Sequence, residues 1–375
     1  MQILSALWAL VVLPLAILLM AVADTWAGRN FSLWALTTGF IPWCLVRART
    51  VAWWKRAAVV AGLVWVITAA VVLMWIPNGR AGGVPRVTNQ YVQGSRGFVR
   101  LAPANLLPEE DQLRFVFTVM PLFDGLFTRN QSVELKDATA SVYREMATDP
   151  EFHALGSSMT DAYADLLGRP QSAGHSYVYI PANLDRQKPA PLLIFFHGSG
   201  GNFKGYLWVL SQAADKAGFV VVAPSGGMGN WGEVDATSAF DRAIEAASHV
   251  VALDRNRIAV AGLSNGGLAV SQLASKRGSE CAFFIFISPV FDRAALRDPS
   301  FAVQCRQKPI VMITGQRDDR VPLEYVLAEA KAMAVSGASP NVRVLAADHF
   351  LIFTHRWELA QSLESALKWG GRMSF

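Results

Sequence analysis

Long apolar stretches dominate the first 77 residues of the chain. Residues 3–23 form a run of 21 residues without a charge, and residues 57–76 form a second apolar run of 20. Each is long enough to cross a bilayer as a helix. A third stretch, residues 31–46, is shorter and is broken by Gly39 and Pro42, so it could span, re-enter or lie at the interface. The pattern predicts two or three transmembrane helices over residues 1–77, with a cleaved signal peptide as the alternative for the first.

From His175 onward the pattern changes to short apolar runs that alternate with amphipathic stretches. We expect strands at 177–180, 192–196, 219–223, 258–261, 282–287, 310–314 and 342–345, and helices at 206–217, 236–252, 265–276, 323–335 and 353–369. Continuous apolar runs bounded by turn residues are typical of parallel strands covered on both faces. Residues 175–375 are therefore predicted to be an α/β domain with a mostly parallel sheet flanked by helices.

Residues 78–174 separate these two regions and carry no spacing typical of catalysis. Residues 78–97 are rich in glycine and are predicted to be a linker. Residues 113–127 are strongly apolar, with a break at Pro121, and helices are expected at 133–146 and 159–167. We interpret the whole segment as a linker and accessory helices, with a substrate-gating lid as the alternative.

Charge is distributed unevenly along the chain. The net charge is +5, and residues 1–77, with five basic residues and one acid, account for +4 of it. The nearly neutral remainder argues against a nucleic-acid partner. Arg47, Arg49, Lys55 and Arg56 precede the last apolar run, and the positive-inside rule places them in the cytoplasm. The bilayer is thus an expected partner, and the chain after residue 76 is expected to be extracytoplasmic in a multi-pass protein.

The motif G-x-S-x-G at Gly262–Gly266 is the strongest chemical signal. A β-branched and alanine-rich run leads into Ser264, and an apolar helical pattern follows it. Strand, G-x-S-x-G and helix are the context of a nucleophile elbow, in which the serine hydroxyl stands at the carboxyl edge of a sheet. The same turn aims the backbone N–H of Asn265 at the same point, where it could donate to the oxygen of a substrate carbonyl.

A serine nucleophile needs a base that is itself oriented by a carboxylate, and in this fold the chain order is serine, acid, histidine. Asp318 and Asp319 follow one predicted strand, and His349 follows the next. We therefore expect Ser264, Asp318 and His349 to form a triad. Asp319 and Asp292 are the alternative acids, and His355 is the alternative base.

The loop after the predicted strand 192–196 is rich in glycine and is expected to supply a second oxyanion donor. It contains His197 and Ser199, and we assign the donor to the Ser199 N–H, together with that of Asn265. His197 is interpreted as a residue that organises the loop. The loop lacks the Lys-Ser/Thr ending of a phosphate-binding loop, and we expect no cofactor and no metal.

These residues resemble the α/β-hydrolase superfamily, and within it the polyhydroxybutyrate depolymerase and feruloyl esterase group. The similarity lies in residues 197–202, 254–258, 262–267 and 315–322 and extends over about residues 175–370. It implies an acyl-enzyme mechanism on a small or polymeric ester, and it suggests that Trp231 lies near the substrate pocket or packs beneath it. Two features differ from that group. Position 199 is serine where the group often has cysteine, and this chain has membrane segments whereas members of the group are typically secreted.

The sequence thus predicts a membrane-anchored serine hydrolase, most simply a carboxylic ester hydrolase. A prolyl-oligopeptidase-like peptidase and an acyltransferase use the same groups, and a non-catalytic binding module with this fold is a further alternative. Cys281 and Cys305 each precede a predicted strand, so they could be bridged at one sheet edge or remain two buried thiols.

Overall fold

The computed structural model describes residues 2–79, 82–93, 97–168 and 174–370, except for the side chains of residues 369 and 370. The chain divides into two compact units. One consists of Met1–Pro77 and Arg100–Ala140, and the other of Asn78–Val99 and Ser141–Phe375. The functional division at residues 77 and 174 stays a prediction.

The first unit is helical. Its three long helices are α1 (Gln2–Val22), α2 (Trp26–Arg47) and α3 (Trp53–Trp75), followed by α4 (Pro103–Leu106), α5 (Glu109–Val119), a 3-10 turn (Met120–Leu122) and the first part of α6 (Arg129–Met146). Helices α1 and α3 are long and apolar enough to cross a membrane, and only 17% of the most apolar window of each is buried. Apolar side chains exposed all round a helix fit a lipid environment.

Helix α2 packs against both α1 and α3, and polar side chains link the three helices. The Asn30 amide donates to the Thr68 carbonyl at 3.0 Å, and the Trp65 indole donates to the Thr38 hydroxyl at 2.9 Å. The Trp8 indole donates to the Thr38 carbonyl at 3.1 Å. These polar groups are therefore satisfied inside the bundle, so a helix of lower hydropathy than its neighbours is accommodated between them.

The second unit is built on one sheet of eight strands. They are β1 (Val87–Tyr91), β2 (His175–Tyr179), β3 (Ala190–Phe196), β4 (Val220–Pro224), β5 (Leu253–Leu263), β6 (Phe283–Ile287), β7 (Pro309–Gly315) and β8 (Ser339–Leu345). The spatial order is β1-β2-β4-β3-β5-β6-β7-β8, and only β2 runs against the others. This order and direction are those of the α/β-hydrolase fold, so the predicted fold class is confirmed.

Helices cover both faces of this sheet. They are α7 (Pro150–Ala154), α8 (Met159–Leu166), α9 (Lys204–Ala217), α10 (Ala236–Ser248), α11 (Gly266–Lys276), α12 (Arg293–Arg297), α13 (Pro299–Gln304), α14 (Leu323–Val335), α15 (Leu351–Thr354) and α16 (Arg356–Gly370). Helix α9 packs against α16, and α10 packs against α11. Every residue of β3, β6 and β7 is buried, which explains why these strands have no polar alternation.

The predicted strands and main helices occur within a few residues of their expected positions. The exception is β1, which lies inside the stretch expected to be a linker and pairs antiparallel with β2. Cys281 and Cys305 are buried free thiols in this structure, and burial raises the pKa of each to about 12. The Cys305 thiol donates to the Ala274 carbonyl at 3.1 Å.

Candidate active site

Ser264 lies on the sharp turn between β5 and α11. Its φ is +49°, a left-handed conformation that residues other than glycine rarely adopt. The turn is held by the strand beside it, since the Ser264 N–H donates to the Ile287 carbonyl at 2.9 Å. The Ser264 carbonyl accepts from the N–H groups of Gly267 and Val290, each at 2.9 Å. A strained serine fixed by backbone hydrogen bonds is the geometry that a nucleophile elbow requires.

Three glycines next to the serine leave space that a side chain would fill. A Cβ on Gly262 would lie 2.5 Å from the carbonyl carbon of Gly266. A Cβ on Gly266 would lie 2.8 Å from the carbonyl carbon that ends β3, and one on Gly267 would lie 2.6 Å from the Val290 oxygen. Such approaches are too close for carbon, so the turn brings strand and helix together only because these positions lack side chains.

Ser264, His349 and Asp318 are joined by hydrogen bonds. His349 follows β8, and its Nε2 lies 3.0 Å from the Ser264 Oγ, while its Nδ1 lies 2.9 Å from the Asp318 Oδ2. Asp318 follows β7, and its fully buried carboxylate accepts the N–H groups of Arg320 at 3.0 Å and Val321 at 2.8 Å. Because a carboxylate only accepts, neutral His349 carries its proton on Nδ1 and leaves Nε2 free to accept from the serine.

The alternative acids and base lie elsewhere. Asp319 is exposed to solvent. Asp292 caps α12 by accepting the Ala295 N–H at 3.1 Å. The His355 ring bonds to the Thr354 hydroxyl at 2.9 Å. The geometry thus brings together Asp318 and His349 with Ser264, and each of the other three side chains has a different contact or faces water.

The expected oxyanion donors lie side by side. The Asn265 amide donates to the Ser199 hydroxyl at 2.8 Å. A Cβ on Gly198 would lie 3.3 Å from the Ser264 Cβ, so the glycine-rich loop passes close to the serine. Gly200 has φ +100°, which turns the loop in a way that favours glycine. Within the described part of the chain, the backbone N–H groups of Ser199 and Asn265 have no acceptor, so both are available to a substrate oxygen.

His197 organises the loop from beneath. It is fully buried, and burial lowers its pKa to about 4. The Gly226 N–H donates to its Nε2 at 2.9 Å, so its proton is on Nδ1 and donates to the Gly198 carbonyl at 2.8 Å. The Trp231 indole donates to the His197 carbonyl at 2.8 Å and stacks edge-on against Phe196. Trp231 has no exposed surface, so it packs under the loop and does not line an open pocket.

A contact that the sequence did not reveal comes from α8. The Asp165 carboxylate accepts the Met228 N–H at 2.9 Å, and the Met228 carbonyl accepts the Gly200 N–H at 2.9 Å. A Cβ on Gly201 would lie 2.6 Å from the Met159 sulfur. Helix α8 therefore braces the loop that carries Ser199. No motif marks Asp165, because its role depends on a contact between segments that are far apart in the sequence.

Among the described residues, no group of three His, Cys, Asp or Glu side chains is arranged to hold a metal ion. The arrangement combines a partly exposed hydroxyl, a base within hydrogen-bond distance, a buried acid and two free N–H groups. Those are the parts needed for attack on a carbonyl carbon.

Comparison with known proteins gives likeness at the level of fold. No family model and no curated protein matches the chain. Among solved structures, Est1E from Butyrivibrio proteoclasticus is 17% identical, with a TM-score of 0.42 over 53% of this chain and 94% of its own. An S-formylglutathione hydrolase from Agrobacterium tumefaciens is 16% identical (TM-score 0.43, 54% and 90% covered). The butyrate-bound esterase Est2 from Thermogutta terrifontis is 19% identical (TM-score 0.43, 54% and 90% covered). Likeness this distant does not extend to activity.

Proposed function

We propose that the chain is a serine hydrolase that cleaves carboxylic esters. The observation that carries this proposal is the continuous set of hydrogen bonds from Asp318 through His349 to Ser264, with Ser264 in a left-handed turn. Structural serines rarely combine backbone strain with a bond to a histidine that a buried carboxylate orients. The two free N–H groups beside the hydroxyl support the same interpretation.

The proposed reaction has two half-reactions. His349 Nε2 takes the hydroxyl proton as the Ser264 Oγ attacks the ester carbonyl carbon, and the oxyanion accepts from the N–H groups of Ser199 and Asn265. Each such donor is worth about 2.7–4 kcal/mol in other enzymes. The intermediate then expels the alcohol, which takes the proton from His349. Water attacks the acyl-enzyme with His349 again acting as base, and the acid and free Ser264 are released.

We further propose that the protein is a multi-pass membrane protein with its catalytic domain outside the cytoplasm. The two helices α1 and α3 are long and apolar enough to span. Arg47, Arg49, Lys55 and Arg56 lie at the end of α2, in the turn after it and in the first turn of α3, and they favour a cytoplasmic position for that turn. The bilayer would then hold the enzyme while residues 175–375 act on an extracytoplasmic ester.

Ser264→Ala tests the activity. In purified full-length protein we expect hydrolysis of p-nitrophenyl esters to fall on the order of 10⁴-fold or more, and fluorophosphonate labelling to be lost. Ser336→Ala is the matched control and is expected to keep both, because the Ser336 hydroxyl follows α14 and donates to the Ala332 carbonyl. Circular dichroism shows whether the variants fold.

Three results would contradict the proposal that the chain is a serine ester hydrolase. Full activity of folded Ser264→Ala would exclude this serine as the nucleophile. A folded wild-type protein that neither reacts with the probe nor cleaves any ester or peptide in a panel would favour a non-catalytic module. Cleavage of peptides over esters, or transfer to an added alcohol over water, would identify the peptidase or acyltransferase alternative.

A further inference from the structure

One apolar segment of the helical unit is left without a role by the proposed catalysis. From Phe115 to Thr128 the chain holds a single ionisable residue, Asp124. Residues 120–126, here called the apolar tip, follow α5 and include Leu122, which is 76% exposed, and Phe123, which is 84% exposed. Large apolar side chains this exposed on a short segment mark a surface that something else covers.

The start of α5 is fixed to the turn between α1 and α2. The Asp111 carboxylate, which is fully buried, accepts the N–H groups of Asp24 at 2.7 Å and Thr25 at 3.3 Å, and also accepts from the Thr25 hydroxyl. Gly28 in the first turn of α2 leaves the space that Asp111 occupies. Helix α5 is therefore attached at one end of the candidate membrane helices.

The direction of α5 follows from its next contact with α1. Arg114, one turn after Asp111, donates from Nε to the Val22 carbonyl at 3.1 Å and lies 3.8 Å from the Asp24 carboxylate. Asp111 thus meets residues 24 and 25, and Arg114 meets residues 22 and 24. Helix α5 also packs against α1 itself, which fits a course back along that helix. Its continuation into the apolar tip is directed toward the apolar body of α1 and away from the polar turn.

Several backbone N–H groups of the apolar tip and of Phe127 beside it are bonded within the segment. The N–H groups of Phe123 and Asp124 both donate to the Met120 carbonyl at 2.9 Å, and that of Phe127 donates to the Asp124 carbonyl at 3.0 Å. The Asp124 carboxylate accepts the Leu126 N–H at 3.0 Å. These internal hydrogen bonds lower the cost of moving the bonded N–H groups out of water.

We propose that the apolar tip inserts into the outer leaflet of the bilayer beside α1. We expect lipid to cover the tip because the same compact unit carries α1 and α3, and because α5 directs the tip back along α1. Arg114 and Arg129 flank the segment, as basic residues at a headgroup boundary do. The proposal rests on the proposed membrane anchoring with three crossings, which places the turn between α1 and α2 outside the cytoplasm, and it is independent of the catalytic assignment.

Spin labels on single cysteines test the insertion in full-length protein reconstituted into phosphatidylcholine vesicles. Labels at Phe123→Cys and Leu122→Cys report the apolar tip. A label at Leu63→Cys, an exposed position in α3, reports the anchor, and Glu134→Cys, exposed on α6, is the polar control. The native cysteines are buried, and wild type labelled in parallel measures their background. The readout is accessibility to oxygen relative to a water-soluble nickel chelate.

We expect the ratio of oxygen to nickel accessibility at positions 122, 123 and 63 to exceed that at 134 several-fold. A high ratio at 63 with water-like ratios at 122 and 123 would contradict insertion of the apolar tip, while the membrane anchor would still stand. Water-like ratios at all positions would overturn the anchor as well. Low accessibility to both reagents at 122 and 123, with dipolar broadening between labels, would overturn lipid as the occupant in favour of a second copy of the chain.

Discussion

At the scale of single residues, the carboxylate of Asp318 is held in place by hydrogen bonds on both of its oxygens. Its Oδ1 accepts two backbone N–H groups, its Oδ2 faces His349, and the carboxylate has no exposed surface. The backbone bonds fix the carboxylate, and the carboxylate in turn fixes the ring. The neighbouring Asp319 carries the same side chain but is exposed to solvent, so it can serve as a control for Asp318.

Asp318→Asn is expected to lower kcat on the order of 10⁴-fold with little change in fold. The amide oxygen still accepts from the backbone, but a neutral group neither stabilises imidazolium nor selects the Nδ1–H tautomer. Asp319→Asn is the matched control and should retain kcat within about twofold, as expected for an exposed side chain. Ester hydrolysis by the two purified variants provides the measurement. Equal activities would show that Asp318 does not orient the base.

At the scale of elements, some could be predicted from the sequence and others could not. The buried strands β3, β6 and β7 are continuous apolar runs because both of their faces are covered, and such runs are visible without a structure. The order of serine, acid and histidine could be predicted because each follows a strand. Strand β1 reads V-T-N-Q-Y and has only one buried residue, so its place in the sheet depends on β2 and not on its own pattern.

Polar helices were harder to predict for a related reason. Helix α2 has lower hydropathy than α1 and α3, yet it packs between these apolar helices, and its Asn30 and Thr38 side chains find partners there. The bracing role of α8 depends on Asp165 meeting the backbone of residue 228, a contact across 63 residues. Local periodicity carries no information about such pairs, since the partner is chosen by the folded chain.

The edge formed by β1 and β2 gives a prediction about acid. His175 in β2 bonds through Nε2 to the Asn89 carbonyl oxygen of β1 at 3.0 Å, so its Nε2 carries the proton. Its Nδ1 is buried and has no partner among the described residues. Burial lowers the pKa of His175 from 6.5 to about 4. Between these values the unfolded chain binds a proton that the folded chain does not, so stability is present above pH 6.5 and falls as the pH drops toward 4.

His175→Gln removes this titration while an amide can still donate to Asn89. We expect the unfolding free energy of the variant to fall less steeply between pH 6.5 and 4 than that of wild type, by about 1.4 kcal/mol per pH unit. Burial also raises the pKa of Asp161 to about 6, which acts in the opposite direction but is common to both proteins. Urea unfolding followed by tryptophan fluorescence across this range is the measurement. Parallel pH profiles would mean that His175 titrates near its ordinary pKa when folded.

At the scale of the whole molecule, charge and hydropathy are separated along the chain. Residues 1–77 carry +4 of the net charge of +5, and they also contain both helices that are long and apolar enough to span. The candidate triad and the large apolar core of the sheet lie in the second unit. Because α2 is as long as α1 and returns along it, three crossings place the N-terminus on the same side as the basic loop. Two crossings without α2 would place it on the other side.

Labelling of single cysteines with a membrane-impermeant maleimide distinguishes these topologies. With three crossings, Gln2→Cys and Thr50→Cys should react only after the membrane is opened, while Lys188→Cys, exposed in the catalytic domain, should react in intact spheroplasts. The buried native cysteines are expected to stay silent. Reaction of Gln2→Cys together with Lys188→Cys would show that α2 does not cross. Reaction of Thr50→Cys from outside would reverse the orientation, because the basic residues beside it are the reason for placing that loop in the cytoplasm.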